Sequence, residues 1–405
     1  MMQMPPKELK WSFRSLNLKP SPTLKMAARA QALKKEGKPV INLTVGEPDF
    51  PTFPEAAHGG IEAIQMGLTK YTPAAGRPDL RSKLARFLSE ELGITVSASE
   101  VVVGAGAKFL IYATLQMIIN PGDEVLIPVP YWVSYPTMVE LCGGHAIYVN
   151  SSLNHHYKPT PEDLEKSITS RTKVLILCSP SNPTGAAYTQ EELKAIARWL
   201  KTHPNLLVIS DDIYNRLYFP DPQLAPHLLH VAPELADRTV CIGGASKTFA
   251  MTGWRIGWLR ACEELASKVG DFCSQTTSNA CSISQNAVWR VLDHFQEPLG
   301  KELKILKEKK DMVEDGLSQL GFQLIPPSGA FYLFFQVDRL IEKLHKKTLG
   351  KVTDSVTLSE YLLEEHYLAL VAGSEFGQDG WMRLSYAAAQ SELEMFLNRF
   401  KTLVS

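Results

Sequence analysis

The chain has 405 residues, 45% hydrophobic and 21% charged, which is the balance of a globular protein with more than one core. Lys and Arg number 42 against 43 Asp and Glu, a formal net charge of -1, so the basic excess of a nucleic-acid binder is missing. The N-terminal "MMQMPPKELKWSF" has no apolar signal core and no run of eighteen apolar residues occurs, so a cytoplasmic protein outside the membrane is expected.

From about residue 76 to 262, helical patterns alternate with short apolar runs. "RPDLRSKLARFLSEELG" sets Leu80, Leu84, Phe87, Leu88 and Leu92 at helical spacing and stops at Gly93. The runs "VVVG", "VLIP", "AIYV", "VLILCSP", "LLVISDD", "VCIGGAS" and "RIGWL" follow. They do not alternate with polar residues. Such runs predict central strands covered by helices on both faces, hence an α/β fold around a mostly parallel sheet. No GxGxxG opens a helix after any of them, so a dinucleotide fold lacks support.

The last third changes character. A long amphipathic helix near 300–320 carries Leu303, Leu306, Val313, Leu317 and Leu320. The runs "AFYLFFQV", "LALVAG" and "WMRLSYA" come next, then a terminal helix with Leu393, Phe396, Leu397 and Phe400 on one face. This mixture predicts a smaller α+β domain. The polar "DRLIEKLHKKTLGKVTDSVTLS" reads as a mobile, solvated surface segment. The expected division is an N-terminal arm with part of the small domain at 1–45, a large cofactor-binding domain at 46–298, and a small C-terminal domain at 299–405. Six cysteines (Cys142, Cys178, Cys241, Cys262, Cys273 and Cys281) show no CxxC or zinc-type spacing, so reduced core thiols and no metal are expected.

In open α/β sheets, ligands sit beyond the carboxyl ends of the strands. The unusual polar residues of this chain fall there. "AGAKF" after "VVVG" is a small-residue turn entering a helix, where free N–H groups and the helix dipole suit a phosphate. "SNPTG" brings Asn182, "LLVIS" ends in Asp211 and Asp212 with Tyr214 close behind, and "VCIGGAS" ends in Lys247. Taken singly, each is an ordinary turn, helix cap or surface residue. Together they supply a phosphate cradle, a carboxylate, a phenol, an amide and an amine at one sheet edge. That set meets the needs of pyridoxal phosphate: a lysine for the Schiff base and an acid for the pyridine nitrogen.

Eight segments carry a resemblance over nearly the whole chain: "INLTVGEPDFPT", "KYTPAAGRPDLR", "PGDEVLIPVPYWVSYP", "SPSNPTG", "SDDIY", "SKTFAMTGWRIGW", "SGAFY" and "MRLSYA". In this order they resemble class I pyridoxal-phosphate-dependent aminotransferases of the aspartate aminotransferase group, bacterial-type subgroup. The resemblance implies the transferase fold type I and a homodimer with shared active sites. It implies that Lys247 bears the cofactor and shuttles the proton, with Asp211 on the pyridine nitrogen and Tyr214 and Asn182 on the ring oxygen. Trp132 would stack on the ring. Ala107, Lys108, Ser246 and Arg255 would meet the phosphate, joined by Tyr71 of the neighbouring subunit. Arg383 would fork onto the substrate α-carboxylate, aided by the Gly46 N–H and bounded by Trp132 and Asn182.

The family favours aspartate with 2-oxoglutarate, giving oxaloacetate and glutamate. The second carboxylate then needs a cation, and "SQTTSN" (274–279) offers no arginine. Lys108 is the candidate, with Lys19, Ser21 and Thr23 of "LKPSPT" folding over the site. Alternatives are prephenate, aromatic or neutral substrates, or a C–S lyase on the same scaffold. An idle regulator is disfavoured, since about forty residues before "GEPDF" are too few for a DNA-binding domain beside the expected arm. Ser181, Ala280 and Ala372 depart from the family's usual Asn, Pro and Pro.

Overall fold

The structure, a computed structural model, describes residues 11–18 and 22–404. After a short strand β1 (Ile41–Asn42), the apolar runs become β2 (Val101–Gly104), β3 (Glu124–Pro128), β4 (His145–Val149), β5 (Thr172–Cys178), β6 (Leu207–Asp211), β7 (Thr239–Gly244) and β8 (Gly257–Arg260). β2 to β8 form one seven-stranded sheet in the order β2-β8-β7-β6-β5-β3-β4. From β7 to β4 all neighbours are parallel, while β8 runs antiparallel to both β7 and β2.

The absence of alternation in these strands has a direct cause. Leu126, Leu175, Leu177 and Val208 pack into one core, and Val125, Ile127, Val174, Ile176 and Ile209 into another on the opposite face. The first core is closed by Leu80, Leu84 and Leu88 of the helix Pro78–Leu92 and by Leu193, Ile196 and Leu200 of Gln190–Thr202. The second is closed by Leu110 and Ile111 of Ala107–Ile118 and by Ala266 and Val269 of Glu263–Thr276. Polar residues have no face on which to sit in these central strands; the edge strand β4 is more open, with His145 and Tyr148 exposed.

The last third adds β9 (Leu324–Ile325), β10 (Tyr332–Gln336), β11 (Leu368–Ala369), β12 (Val371–Ala372) and β13 (Trp381–Ser385). A four-stranded antiparallel sheet has the order β12-β13-β10-β9, while β11 pairs in parallel with β1 and so draws the N-terminal segment to this part. Helix Gln296–Gln319 and the terminal helix Gln390–Val404 pack here, where Val313 and Leu317 of the first join Phe396 and Phe400 of the second in one core.

Two expectations need correction. "DRLIEKLHKKTLGKVTDSVTLS" is not a mobile coil: it contains the helix Asp338–Lys347 and the start of the helix Ser355–His366. Leu340 and Leu344, four apart, anchor the first helix in the core, and an Asp354–Thr357 capping box starts the second. The charge run hid a narrow apolar stripe. Nor are the cysteines uniformly core thiols, although all six are free: Cys241 and Cys273 are buried, Cys281 is exposed, and the rest lie between. Among the described residues, no helix is long and apolar enough to cross a membrane.

The two sheets meet at Gly185 of "NPTG". Its φ is +69°, and a Cβ there would lie 2.4 Å from Pro327 Cβ and 2.9 Å from the Tyr332 carbonyl oxygen. Its own carbonyl accepts from the Ser328 and Gly329 N–H groups at 2.8 and 3.0 Å. Gly185→Ala should therefore lower stability by about 2–4 kcal/mol, from left-handed backbone strain plus a backbone clash. Denaturant titration checks this; a change under about 0.5 kcal/mol would mean the junction yields freely.

Candidate active site

The ends of β2, β5, β6 and β7 and the approach to β8 surround a cavity of about 590 Å³. Residues from β13 and from the segment after β1 complete its wall. The cavity is lined by every site residue expected from the sequence that the structure describes, except one. That exception is Tyr71, which is 89% exposed. Thr23 also lines the cavity, whereas Lys19 and Ser21 lie outside the described residues.

Lys247 stands in the short helix Ala245–Thr248 directly after β7. Its Nζ donates to the Gly46 carbonyl at 2.6 Å. Burial pulls the amine down to about 8, and the nearby Arg255 and Arg383 charges act in the same direction, while Glu47 and Asp211 oppose. Asp211 ends β6, is 3% exposed, and accepts from the Tyr135 hydroxyl at 2.6 Å. Burial pushes its carboxyl up to about 6 against that hydrogen bond. An amine and an acid are thus moved toward neutrality from opposite sides.

A second group of residues is built for an anion. Gly106, with φ +95°, turns the chain into the helix Ala107–Ile118; a Cβ at this position would sit 2.7 Å from Arg255 Nη2. The guanidinium therefore lies against the helix N-terminus, where free N–H groups and the dipole favour negative charge. Arg255 itself has φ 51°, a strained value for a residue with a side chain. Ser246 is buried beside the cavity. Lys108 Nζ lies 4.8 Å over the Trp132 ring, and burial together with the Arg255 charge lowers its pKa. Among the described residues, neither Arg255 nor Lys108 pairs with a carboxylate.

Arg383, in β13, is 2% exposed. It donates from Nη1 to Asn182 Oδ1 at 2.9 Å and from Nη2 to the Thr44 carbonyl at 2.8 Å, while its buried Nε has no partner. Tyr332 and Phe376 face its guanidinium at 4.4 and 5.0 Å from their ring centres. All these partners are neutral. A buried guanidinium without a carboxylate is costly, and an anionic ligand would relieve it. The Tyr214 and Tyr332 hydroxyls share a hydrogen bond of 3.0 Å.

Comparison with known proteins decides the family. Residues 38–400 match the model of the family described as Aminotransferase class I and II. The chain belongs to this family. It is a pyridoxal-phosphate-dependent aminotransferase, and the donor set fits that cofactor: an amine near neutrality, a buried acid, and a cationic seat at a helix N-terminus. The aminotransferase is 41% identical over 392 residues to a Rickettsia typhi protein named probable aspartate/prephenate aminotransferase, covering 96% of this chain and 98% of that one. It is 39% identical to the aspartate aminotransferase of Geobacillus stearothermophilus, with the same coverage. Among solved structures, the Thermus thermophilus aspartate aminotransferase with maleate superposes with a TM-score of 0.90 at 35% identity, over 98% of this chain and 100% of that one. The Rhizobium meliloti aspartate aminotransferase gives 0.91 at 34%, over 98% and 99%.

Among the cavity-wall residues of this aminotransferase that sequence reasoning did not assign to the site are Tyr135, Tyr332, Cys178 and Thr44. Tyr135 follows Trp132 by one helical turn, a spacing that signals a shared face. Tyr332 stood within "SGAFY" beside no other cue. Thr44 contributes its carbonyl, which sequence cannot single out. One further cluster, Asp212, His227 and Cys241, brings three buried groups within 4.8 Å. The Leu229 N–H donates to His227 Nδ1 at 3.1 Å, which fixes the ring hydrogen on Nε2, facing Ser210 Oγ at 3.2 Å and Asp212 at 3.4 Å. It is a hydrogen-bonded network with that imidazole nitrogen already occupied.

The depressed amine gives a direct test on cofactor-free protein. Acylation of Lys247, followed by peptide mapping, should reach half its plateau near pH 8. An exposed lysine would continue to gain reactivity toward about pH 10.4. A Lys247 profile matching the exposed lysines would show that the cavity does not desolvate it.

Proposed function

We propose that the enzyme moves the amino group of L-aspartate to 2-oxoglutarate, giving oxaloacetate and L-glutamate. The observation that carries this reading is the unsatisfied Arg383 Nε, buried on neutral partners in the same cavity as Lys247 and the separate cation Lys108. Two cations on different elements suit a substrate with two carboxylates. Pyridoxal phosphate, when bound, supplies the aldehyde that takes up the amino group and the ring that accepts electron density from Cα.

The protein's own groups then have distinct tasks. Lys247, whose amine burial brings down to about 8, would take the proton from substrate Cα and hold it for return. Asp211 would hold the pyridine nitrogen protonated, and Asn182 and Tyr214 would donate to the ring oxygen. Arg255, Ser246 and the N–H groups at Ala107 and Lys108 seat the phosphate. Arg383 and Gly46 orient the α-carboxylate, and Trp132 covers the ring and excludes water. The division at 1–45, 46–298 and 299–405 belongs to this reading, as does a cytoplasmic setting.

Prephenate is a second oxo acid supported by two observations. Relatives of this chain carry it in their names, and the cation available is a lysine rather than an arginine fork. The cavity wall also includes Ile111, Val133 and Leu24, apolar surface for a ring. A panel of amino donors against 2-oxoglutarate, oxaloacetate and prephenate tests the range. Lys108→Ala should lower kcat/KM for aspartate by about 10–100-fold more than for phenylalanine or alanine, the worth of one charge-assisted contact. Equal losses for acidic and neutral donors would leave Lys108 with the phosphate alone.

Shared active sites belong to this proposal, and Tyr71 supports them. It is 89% exposed and does not line the cavity, and Ile61, Ile64 and Met66 of the preceding helix and its end are exposed as well. Exposed apolar side chains of this kind suit the interface of a symmetric dimer. Tyr71→Ala and Lys247→Ala subunits, each inactive alone, should regain activity on mixing, because one site of the hybrid receives both intact residues. No recovery after verified subunit exchange would argue for self-contained sites.

A further inference from the structure

Asp211 is the acid on which the proposed chemistry depends, and its surroundings single out one neighbour. The Tyr135 hydroxyl donates to Oδ2 at 2.6 Å, a short charge-assisted length. Oδ1 receives only a long 3.4 Å contact from the Ile213 N–H. The titratable groups facing Asp211 come from four elements. Tyr135 enters from the helix Ser134–Leu141, and Cys178 ends β5 in register with Asp211. Asp212 follows on the same strand end, and Lys247 stands beyond β7.

These neighbours do not act alike. Burial holds the Cys178 thiol protonated, so it adds no charge, and its hydrogen points to the Pro180 carbonyl. The Asp212 carboxylate is engaged elsewhere by Ser210 and His227, though its charge still opposes ionisation of Asp211. Lys247 favours the carboxylate through space but gives its hydrogen bond to Gly46. Tyr135 is therefore the one side chain, among the described residues, that donates a short hydrogen bond to Asp211.

We propose that Tyr135 is a positioning residue for transamination, whose hydroxyl keeps Asp211 deprotonated at neutral pH so that it can hold the pyridine nitrogen's proton. The inference rests on the reading that Asp211 faces that nitrogen. Tyr135 lies 3% exposed and packs edge-on to Trp132, with ring centres 5.3 Å apart, so its place is fixed by the wall that would cover the ring. Burial already lifts Asp211 to about 6 with the donor present. Loss of the hydroxyl moves that value further up. The charged form, and with it the hold on a protonated pyridine, then fails at a higher pH as acid is added.

The test compares affinities of the cofactor-free enzyme for pyridoxal phosphate and for its 1-deaza analogue, which lacks the ring nitrogen. Both carry the phosphate, so the ratio of their dissociation constants across pH 5–9 cancels the phosphate's own titration. In the wild type the preference for pyridoxal phosphate should fall away below about pH 6. In Tyr135→Phe that midpoint should rise by about one pH unit, the effect of one charge-assisted hydrogen bond. Tyr135→Met, another side chain without a donor, serves if the first variant does not accumulate. An unchanged midpoint with a uniform loss of affinity at every pH would overturn the proposal and leave Tyr135 a packing residue. Asp211→Asn separates the two levels of the argument. If it leaves the pH dependence of the ratio intact, Asp211 does not face the nitrogen and both readings fall; if it abolishes that dependence, only the Tyr135 result decides.

Discussion

Everything at this site depends on burying a guanidinium without a carboxylate. Arg383 comes from the second sheet, its Asn182 partner from the loop after β5, and its Thr44 partner from the segment after β1. Three distant stretches of chain therefore meet on one charge. The arrangement is unfavourable as a pure folding device, since neutral acceptors offset desolvation only in part. It makes sense where a ligand anion completes the balance.

The same water-poor setting acts on the other ionisable groups. It lowers Lys247 and raises Asp211, bringing base and acid closer to the pH of the cell. Specific contacts then adjust what burial imposes: Tyr135 restrains Asp211, and the Arg255 and Arg383 charges push Lys247 in the direction burial already takes it. The Ser210, Asp212 and His227 network lies immediately behind, so two adjacent aspartates have different fates. One ends in the cavity; the other is tied into the wall that supports it.

Much of this was legible in the sequence because the central strands are covered twice. The apolar runs of the central strands are interior, although "AIYV" forms the half-open edge strand β4, and a charged residue just past a run marks the open edge, as with Asp211 and Lys247. The contributions that escaped reading have no such marker. Thr44 acts through a carbonyl that any residue possesses. Tyr135 looks like another aromatic of "YWVSYP" until its hydroxyl is seen on Asp211. The helix Asp338–Lys347 was obscured because Leu340 and Leu344 are a thin apolar stripe among lysines and glutamates. Tyr71 lies outside the cavity and is exposed, so its place in the fold adds nothing to what the sequence motif implied.

The reversed strand β8 has a consequence for how this protein can vary. Because β8 runs against β7, its start lies at the same edge as the end of β7. The connection from Lys247 to Arg255 never crosses the sheet; it leaves and re-enters at one rim. It thus works as a ruler, setting the span between the Lys247 amine and the Arg255 guanidinium in one cavity wall. Most surface connections tolerate an inserted or deleted residue, since only the gap must be closed. Here both ends carry side chains of one cavity wall, so length itself is the constrained quantity, and substitutions inside the loop are cheaper than any change in its count.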